Sequence, residues 1–292
     1  TPDKVHILLL SYLHRLPINS FTLQADINYI TQNSSRITRA LFEITLKRGW
    51  VQLTNFYLTL YKCIDRRTLD YYTPLRQFHE LNTNIIEIIE KKQLIKEKIQ
   101  DLTSKEIGEI IKNPKFGSKI LQLTHNLPDL SLITTIQPIT KSIIKLNISY
   151  NINFLWNDKY HSGIQGFYLF VEDSYNEYIY HTEHILIHKS DLNYNNTTIN
   201  NNKKKEIEII LPMTEPIPNE YYIRITSDTF INCNKIITIP LKTIILPTTT
   251  TIHSNLLPIH PISIKCLQNL SYELIYKEKI SYFNPIQSQL FY

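Results

Sequence analysis

Glycine is scarce in this 292-residue chain, with five residues, and methionine scarcer still, with one. Few glycines leave few positions for left-handed backbone or for loops that cradle phosphates. No G-x-x-x-x-G-K-[ST] segment occurs, and no Asp-Glu pair stands ready to hold magnesium. Cys63, Cys233 and Cys266 are far apart and odd in number. They make neither a metal-ligand spacing nor a disulfide framework, and suit a reducing compartment. No apolar run approaches the ~18–20 residues that cross a bilayer. What is present is ordinary globular material, 42% hydrophobic and 20% charged, with room for two domains or three small ones.

Charge is distributed unevenly. Residues 1–131 carry 18 Lys and Arg against 13 Asp and Glu, whereas the remainder balances at 13 against 13. Seven of the eight arginines precede residue 77. A polyanionic partner would therefore meet the first half.

The first 130 residues have helical periodicity. Spacing predicts helices over 4–16, 23–48, 50–68, 84–100 and 103–112, and another from Ser118. Ser20 or Thr22 would cap the long second helix and Gly49 would stop it. At 1.5 Å per residue that helix would be ~38 Å long. Its residues Ile27, Ile30, Ile37, Leu41 and Ile44 fall on one stripe, which predicts that Ile37 and Leu41 face the bundle. The segment 71–78, with Pro74, reads as a linker, and "NPKFG" (113–117) as a turn.

Beyond Pro128 the period becomes two. From Ile144 to Trp156 the even positions are apolar or aromatic and six of the seven odd ones polar, the pattern of a half-buried strand. Further strands are predicted at 167–172, 177–187, 206–211, 221–226 and 236–246, which together suggest an antiparallel β-sandwich. The polar stretch 193–206 reads as a disordered hairpin insertion and 247–265 as an extended strap, with a last helix from Cys266.

Several segments resemble one family. "ADINYITQNSSRITRALFEITLKRGW" (25–50) is similar to the long helix of the Sec-sixty-three-type unit in tandem-cassette superfamily 2 RNA helicases. "PLRQF" (74–78), "IQPIT" (136–140), "FLWND" (154–158), "FVED" (170–173), "YYIRITSD" (221–228), "LKTIILP" (241–247) and "FNPIQSQLF" (283–291) continue the likeness in order along nearly the whole chain. It is strongest to the pre-mRNA-splicing branch that works on the U5 snRNP, with the activating-signal-cointegrator branch as the alternative. The resemblance implies a multidomain α plus β fold: a helical bundle at 1–78 carrying the long helix, a helix–loop–helix at 79–131, and an immunoglobulin- or fibronectin-like sandwich at 132–247. Residues 248–292 would be a strap and the start of a second helicase cassette. The family pattern departs at Ser34 and Ser35, where small residues with Gly or Ala second are usual, and at Thr229-Phe230, where Arg-Trp is usual.

The resemblance also implies a function. The unit is non-catalytic and follows one helicase core, lining the channel through which single-stranded RNA leaves. Its partners would be RNA, core domains in cis and spliceosomal proteins, in the nucleus and without a membrane. Gln32, Asn33, Arg36 and Arg39 would touch RNA, since guanidinium groups pair phosphates or stack on bases. From pattern alone, the stripe Asn28, Gln32, Arg36, Arg39, Glu43 and Lys47 is equally the solvated face of an amphipathic helix. Phe283 and Gln287 match a Q motif, where an aromatic stacks on adenine and a glutamine bonds its edge. Without the phosphate loop this fragment would need no cofactor, while ATP and magnesium would serve the full-length helicase. His181, His184 and His188 with Glu183 invite a zinc reading, but strand geometry turns His181 and His184 apart, so no metal is expected. A translocation-type unit at the endoplasmic reticulum and a protein-only adaptor are the rivals. The Q-motif match speaks against the first, and salt-dependent RNA binding would separate the second.

Overall fold

The computed structural model describes residues 1–140, 142–175, 177–192, 205–213, 218–241, 244, 261–277 and 279–291. Two compact units emerge, Thr1–Leu246 and Pro247–Tyr292. Most of the hairpin insertion and of the strap expected from sequence lies outside the described residues.

The first unit begins with three helices, α1 (Pro2–Leu13), α2 (Phe21–Arg48) and α3 (Val51–Arg66). Ser20 takes the extended N-cap position of α2, and Gly49 ends the helix at φ 73°, its N–H donating to the Leu46 carbonyl at 3.0 Å. A side chain at 49 would be strained by that φ and would press on the Tyr178 ring, 2.9 Å from a Cβ placed there.

After a short 3-10 turn at Pro74–Gln77 come α4 (Thr83–Lys91), α5 (Lys96–Asp101), α6 (Ser104–Ile111) and α7 (Pro114–His125). The single helix expected over 84–100 is thus two, interrupted where Gln93 adopts φ 50°. The "NPKFG" segment is a helix start rather than a turn: Asn113 is the N-cap and Pro114 the first helical residue, where its missing N–H costs nothing. Gly117 consequently lies inside α7, and a Cβ there would come within 1.9 Å of the Ser104 carbonyl oxygen. Only glycine lets α6 and α7 approach this closely.

The β part comprises β1 (Leu130–Thr140), β2 (Ile143–Ile152), then a single helical turn, α8 (Asp158–His161), β3 (Ile164–Glu172), β4 (Ile179–His188), β5 (Lys205–Pro212), β6 (Glu220–Ser227) and β7 (Asn234–Pro240). They form two antiparallel sheets, ordered β1-β2-β5 and β4-β3-β6-β7. Ile144, Leu146, Ile148 and Tyr150 of β2 join Phe167, Leu169 and Val171 of β3 and Tyr221, Ile223 and Ile225 of β6 in one buried cluster, so the sheets share a core. The alternating segment stops pairing at Ile152; Phe154 and Trp156 are buried beyond the strand end. Strand β1 was not among the strands that alternation predicts. It lacks strict alternation and contains Pro138, which an edge strand tolerates and beside which the register shifts.

Strand β3 is covered on its other face too. Tyr168 and Phe170 pack with Phe42, Val51 and Leu58, which seats α2 and α3 on the four-stranded sheet. This seating corrects the expected orientation of α2. Its buried residues are Thr38, Phe42 and Thr45. Ile37 and Ile44 are 59% and 55% exposed, and Leu41 is only half-buried. Ile37 and Ile44 of the apolar stripe face outward, while Ile27, Ile30 and Leu41 are half-buried and Phe42 takes the buried place against the aromatic surface of β3.

Where helices meet sheets, His161 is 1% exposed among Phe154, Trp156 and Phe230. Its Nδ1 accepts from the Asn157 N–H at 3.0 Å, and its Nε2 donates to the Asn126 carbonyl at 2.9 Å. Burial lowers the pKa of this imidazole below its ordinary 6.5.

Two outcomes follow in urea unfolding. Phe42→Ala lowers stability by about 3–5 kcal/mol through a core cavity, whereas Ile37→Ala changes it by no more than about 0.5 kcal/mol. A folded-state pKa below the unfolded one means that the neutral form stabilises the fold fully above pH ~6.5 and that this contribution is lost as pH falls toward the lowered value. The parent therefore loses stability across that window, and a His161→Gln variant loses less.

Candidate nucleic-acid interface

The C-terminal half of α2 is anchored, and its opposite face is open. Along that open face run Tyr29, Asn33, Arg36, Ile37, Ala40 and Ile44, each three or four residues from its neighbours or beside one that is. Arg36 is exposed, and among the described residues no hydrogen bond or ion pair engages its guanidinium. Gln32 is likewise exposed and unengaged among the described residues. Asn33 is half-buried, with Nδ2 donating to the Tyr29 carbonyl at 2.8 Å and its side-chain oxygen open. Tyr29, 73% exposed, is not among the residues that the sequence pattern singles out. Its signal was its place one turn before Asn33 and two before Arg36, where a ring offers a stacking surface.

Arg39 is placed differently. Its Nη1 donates to a carboxylate oxygen of Asp228, its Nη2 to the Tyr168 hydroxyl at 2.7 Å, and its Nε lies 3.4 Å from Glu43. Its guanidinium carbon lies 5.2 Å from the Phe42 and Tyr61 ring centres. Both Nη atoms therefore serve the contact between α2 and the sheet, Nε is turned to Glu43 on α2 itself, and Arg39 does not join the open face. The Asp228 N–H bonds to the Gly166 carbonyl at 3.0 Å. At Gly166 a Cβ would stand 3.0 Å from His184 Nε2 and 3.3 Å from Asp228 Cβ, a tight fit that would push these side chains by a few tenths of an ångström.

The histidines of β4 are spread. His184 stacks on Tyr168 with ring centres 4.4 Å apart, and His181 lies 3.4 Å from Glu183. Among the described residues no three His, Cys, Asp or Glu side chains converge as metal ligands.

The second unit is a 3-10 turn at Ile264–Leu267, α9 (Leu270–Lys277) and α10 (Pro285–Leu290). Phe283 packs edge-on to Tyr276, centres 6.3 Å apart, and near Phe291 at 5.7 Å. Gln287 closes a reciprocal cap on α10: its Oε1 accepts the Asn284 N–H at 3.0 Å and its own N–H donates to Asn284 Oδ1 at 2.8 Å. The Gln287 acceptor is thus occupied locally, while its amide donors are open.

A long helix anchored to an antiparallel sheet, with an open face that carries polar and aromatic side chains, defines an α plus β module. Residues 1–240 match the Sec63 Brl domain model, and the chain belongs to that family. It is 36% identical over 288 residues to the U5 small nuclear ribonucleoprotein 200 kDa helicase of Homo sapiens, covering 99% of this chain and 13% of that protein. The DExH-box ATP-dependent RNA helicase DExH12 of Arabidopsis thaliana is 34% identical over 288 residues, with the same coverage. Activating signal cointegrator 1 complex subunit 3 of Gallus gallus is 35% identical over 290 residues, again 99% and 13%. The chain thus spans about an eighth of the length of these relatives. No described helix is long and apolar enough to cross a membrane.

A double-mutant cycle tests the Arg39 clamp. Arg39→Ala and Asp228→Asn each cost about 1–3 kcal/mol in urea unfolding, and together cost clearly less than the sum because they remove one interaction. Strict additivity would show that the two side chains act separately.

Proposed function

We propose that this chain is a non-catalytic accessory module of an ATP-dependent RNA helicase of the pre-mRNA-splicing kind, and that α2 forms one wall of a single-strand RNA channel. The observation that carries this reading is the open face of α2. Asn33, Arg36 and Gln32 stand there with free donors beside the Tyr29 ring, while the opposite face is fixed by Phe42 and Arg39. Cationic and amide donors interleaved with an aromatic grip a strand without reading its sequence. Arg39 contributes by holding the helix rather than by touching RNA.

The remaining parts follow from the same reading. Segments 1–78, 79–131 and 132–247 act as helical bundle, helix–loop–helix and immunoglobulin- or fibronectin-like sandwich, the last bracing the cassette and offering surface to spliceosomal proteins in the nucleus. Phe283 and Gln287 belong to the Q motif of a following cassette, whose core would use ATP and magnesium. Swinging out to an adenine edge would require Gln287 to release the Asn284 N–H. The comparable match to a cointegrator subunit, 35% against 36%, leaves that complex as the second setting for the same mechanics.

In the intact helicase, Arg36→Ala is expected to slow duplex unwinding several-fold and to weaken single-strand binding more at low salt than at high salt. Its Tm should stay within about 1–2 °C of the parent, as for a surface substitution. Unwinding at the parental rate by a folded Arg36→Ala protein would reduce α2 to scaffold.

A further inference from the structure

Lys62 of α3 is 4% exposed and forms no ion pair among the described residues. Its Nζ donates to the Thr226 hydroxyl at 3.0 Å and to the Ser227 carbonyl at 2.9 Å, both uncharged acceptors. An ammonium carries three N–H donors, so one remains. Nearby, Arg224 donates Nε and Nη2 to Glu172 at 2.7 and 3.0 Å, while its Nη1 has no partner among the described residues. Glu172 is completely buried and also accepts from Asn55 at 3.2 Å, so it has little left to offer Lys62. Asp228, the carboxylate whose charge reaches Lys62, is held by Arg39. The Cys63 and Cys233 thiols stay neutral, burial pushing them up to about 11 and about 12. Lys62 and Arg224 thus each keep a cationic N–H donor without a partner among the described residues. The same burial pulls the Lys62 ammonium down to about 8.

Against these groups lies a pocket of about 70 Å³, bordered by Asn55, Thr59, Lys62, Arg224, Thr226 and Asn234. Asn234 is exposed, and its side chain has no hydrogen bond among the described residues. A water needs ~10–15 Å³ of such space, so the pocket has room for a few waters or one small tetrahedral ion. Water would leave the Lys62 ammonium without an anionic partner. An oxyanion would accept from both free donors and join α3 to β6 and β7. We propose that this pocket binds one small oxyanion of the phosphate class, a site independent of the RNA role of α2.

The test is thermal unfolding of the chain in increasing inorganic phosphate, with chloride holding ionic strength constant. A rise in Tm of about 2–4 °C is expected, steep at low phosphate and flattening to logarithmic growth above the dissociation constant. Phosphate also stabilises proteins by exclusion from their surfaces, but that effect grows in proportion to concentration and ignores Lys62. Lys62→Met should abolish the steep low-phosphate part. Asn234→Asp, an exposed change that sets a carboxylate at the pocket mouth, should do the same, and it decides the matter if Lys62→Met does not fold. A single-stranded oligoribonucleotide free of inorganic phosphate forms the other arm and should leave this Lys62-dependent shift absent. No steep low-phosphate shift in the parent, one that survives Asn234→Asp, or one produced by the oligoribonucleotide alone overturns the site.

Discussion

Strand β3 needs cover on both faces. Phe167, Leu169 and Val171 turn to the second sheet, while Tyr168 and Phe170 turn to α2 and α3. An aromatic side chain removes ~150–250 Å² from water, and at ~25 cal/mol per Å² neither face can be left bare. The helices therefore dock on the sheet as an obligation of the fold. Much of the polar rim of that contact is paired in turn: Arg39 meets Asp228 and the Tyr168 hydroxyl, and Lys62 spends two of its three donors on Thr226 and Ser227. Buried polar groups without such partners would each cost about as much as an aromatic contributes.

This docking divides α2 along its length. Thr38, Phe42 and Thr45, its buried residues, all lie in the C-terminal half, next to the Gly49 stop that turns the chain into α3. The N-terminal half extends from this anchor, with the Lys4–Asp26 pair to α1 exposed on both sides and of little energetic weight. Gln32, Asn33 and Arg36 stand just before the anchored turns. They are rigidly based yet reachable, a placement suited to gripping a moving strand.

Much of this was legible in the residues. The two-residue alternation of β2, the length of α2 and its glycine stop are local signals, and each emerged in place. Features set by distant partners were not legible. Nothing in 113–117 announces that Gly117 must let the Ser104 carbonyl through, and an uncharged edge strand interrupted by Pro138 does not alternate. The outward turn of Ile37 and Ile44 was hidden for the same reason. Helical periodicity names a stripe of like residues, but which stripe is buried depends on the surface it meets. Here that surface is the aromatic face of β3, which selects Phe42.

Arg36 and Arg39 carry the argument furthest. They are the same residue type, three positions apart on one helix, and local sequence offers no ground for separating them. Three residues at ~100° each leave them about 60° apart around the helix axis, enough to set Arg36 in solvent and Arg39 at the edge of the docked face, where it reaches Asp228, 189 residues away. Asp228 is held over Gly166 by its N–H bond to the Gly166 carbonyl, with close packing against the bare Cα. The division of labour between a residue that holds the helix and one free to hold a ligand is therefore made on the sheet, at Gly166 and Asp228. A change at either position would reach the open face of α2 without touching it.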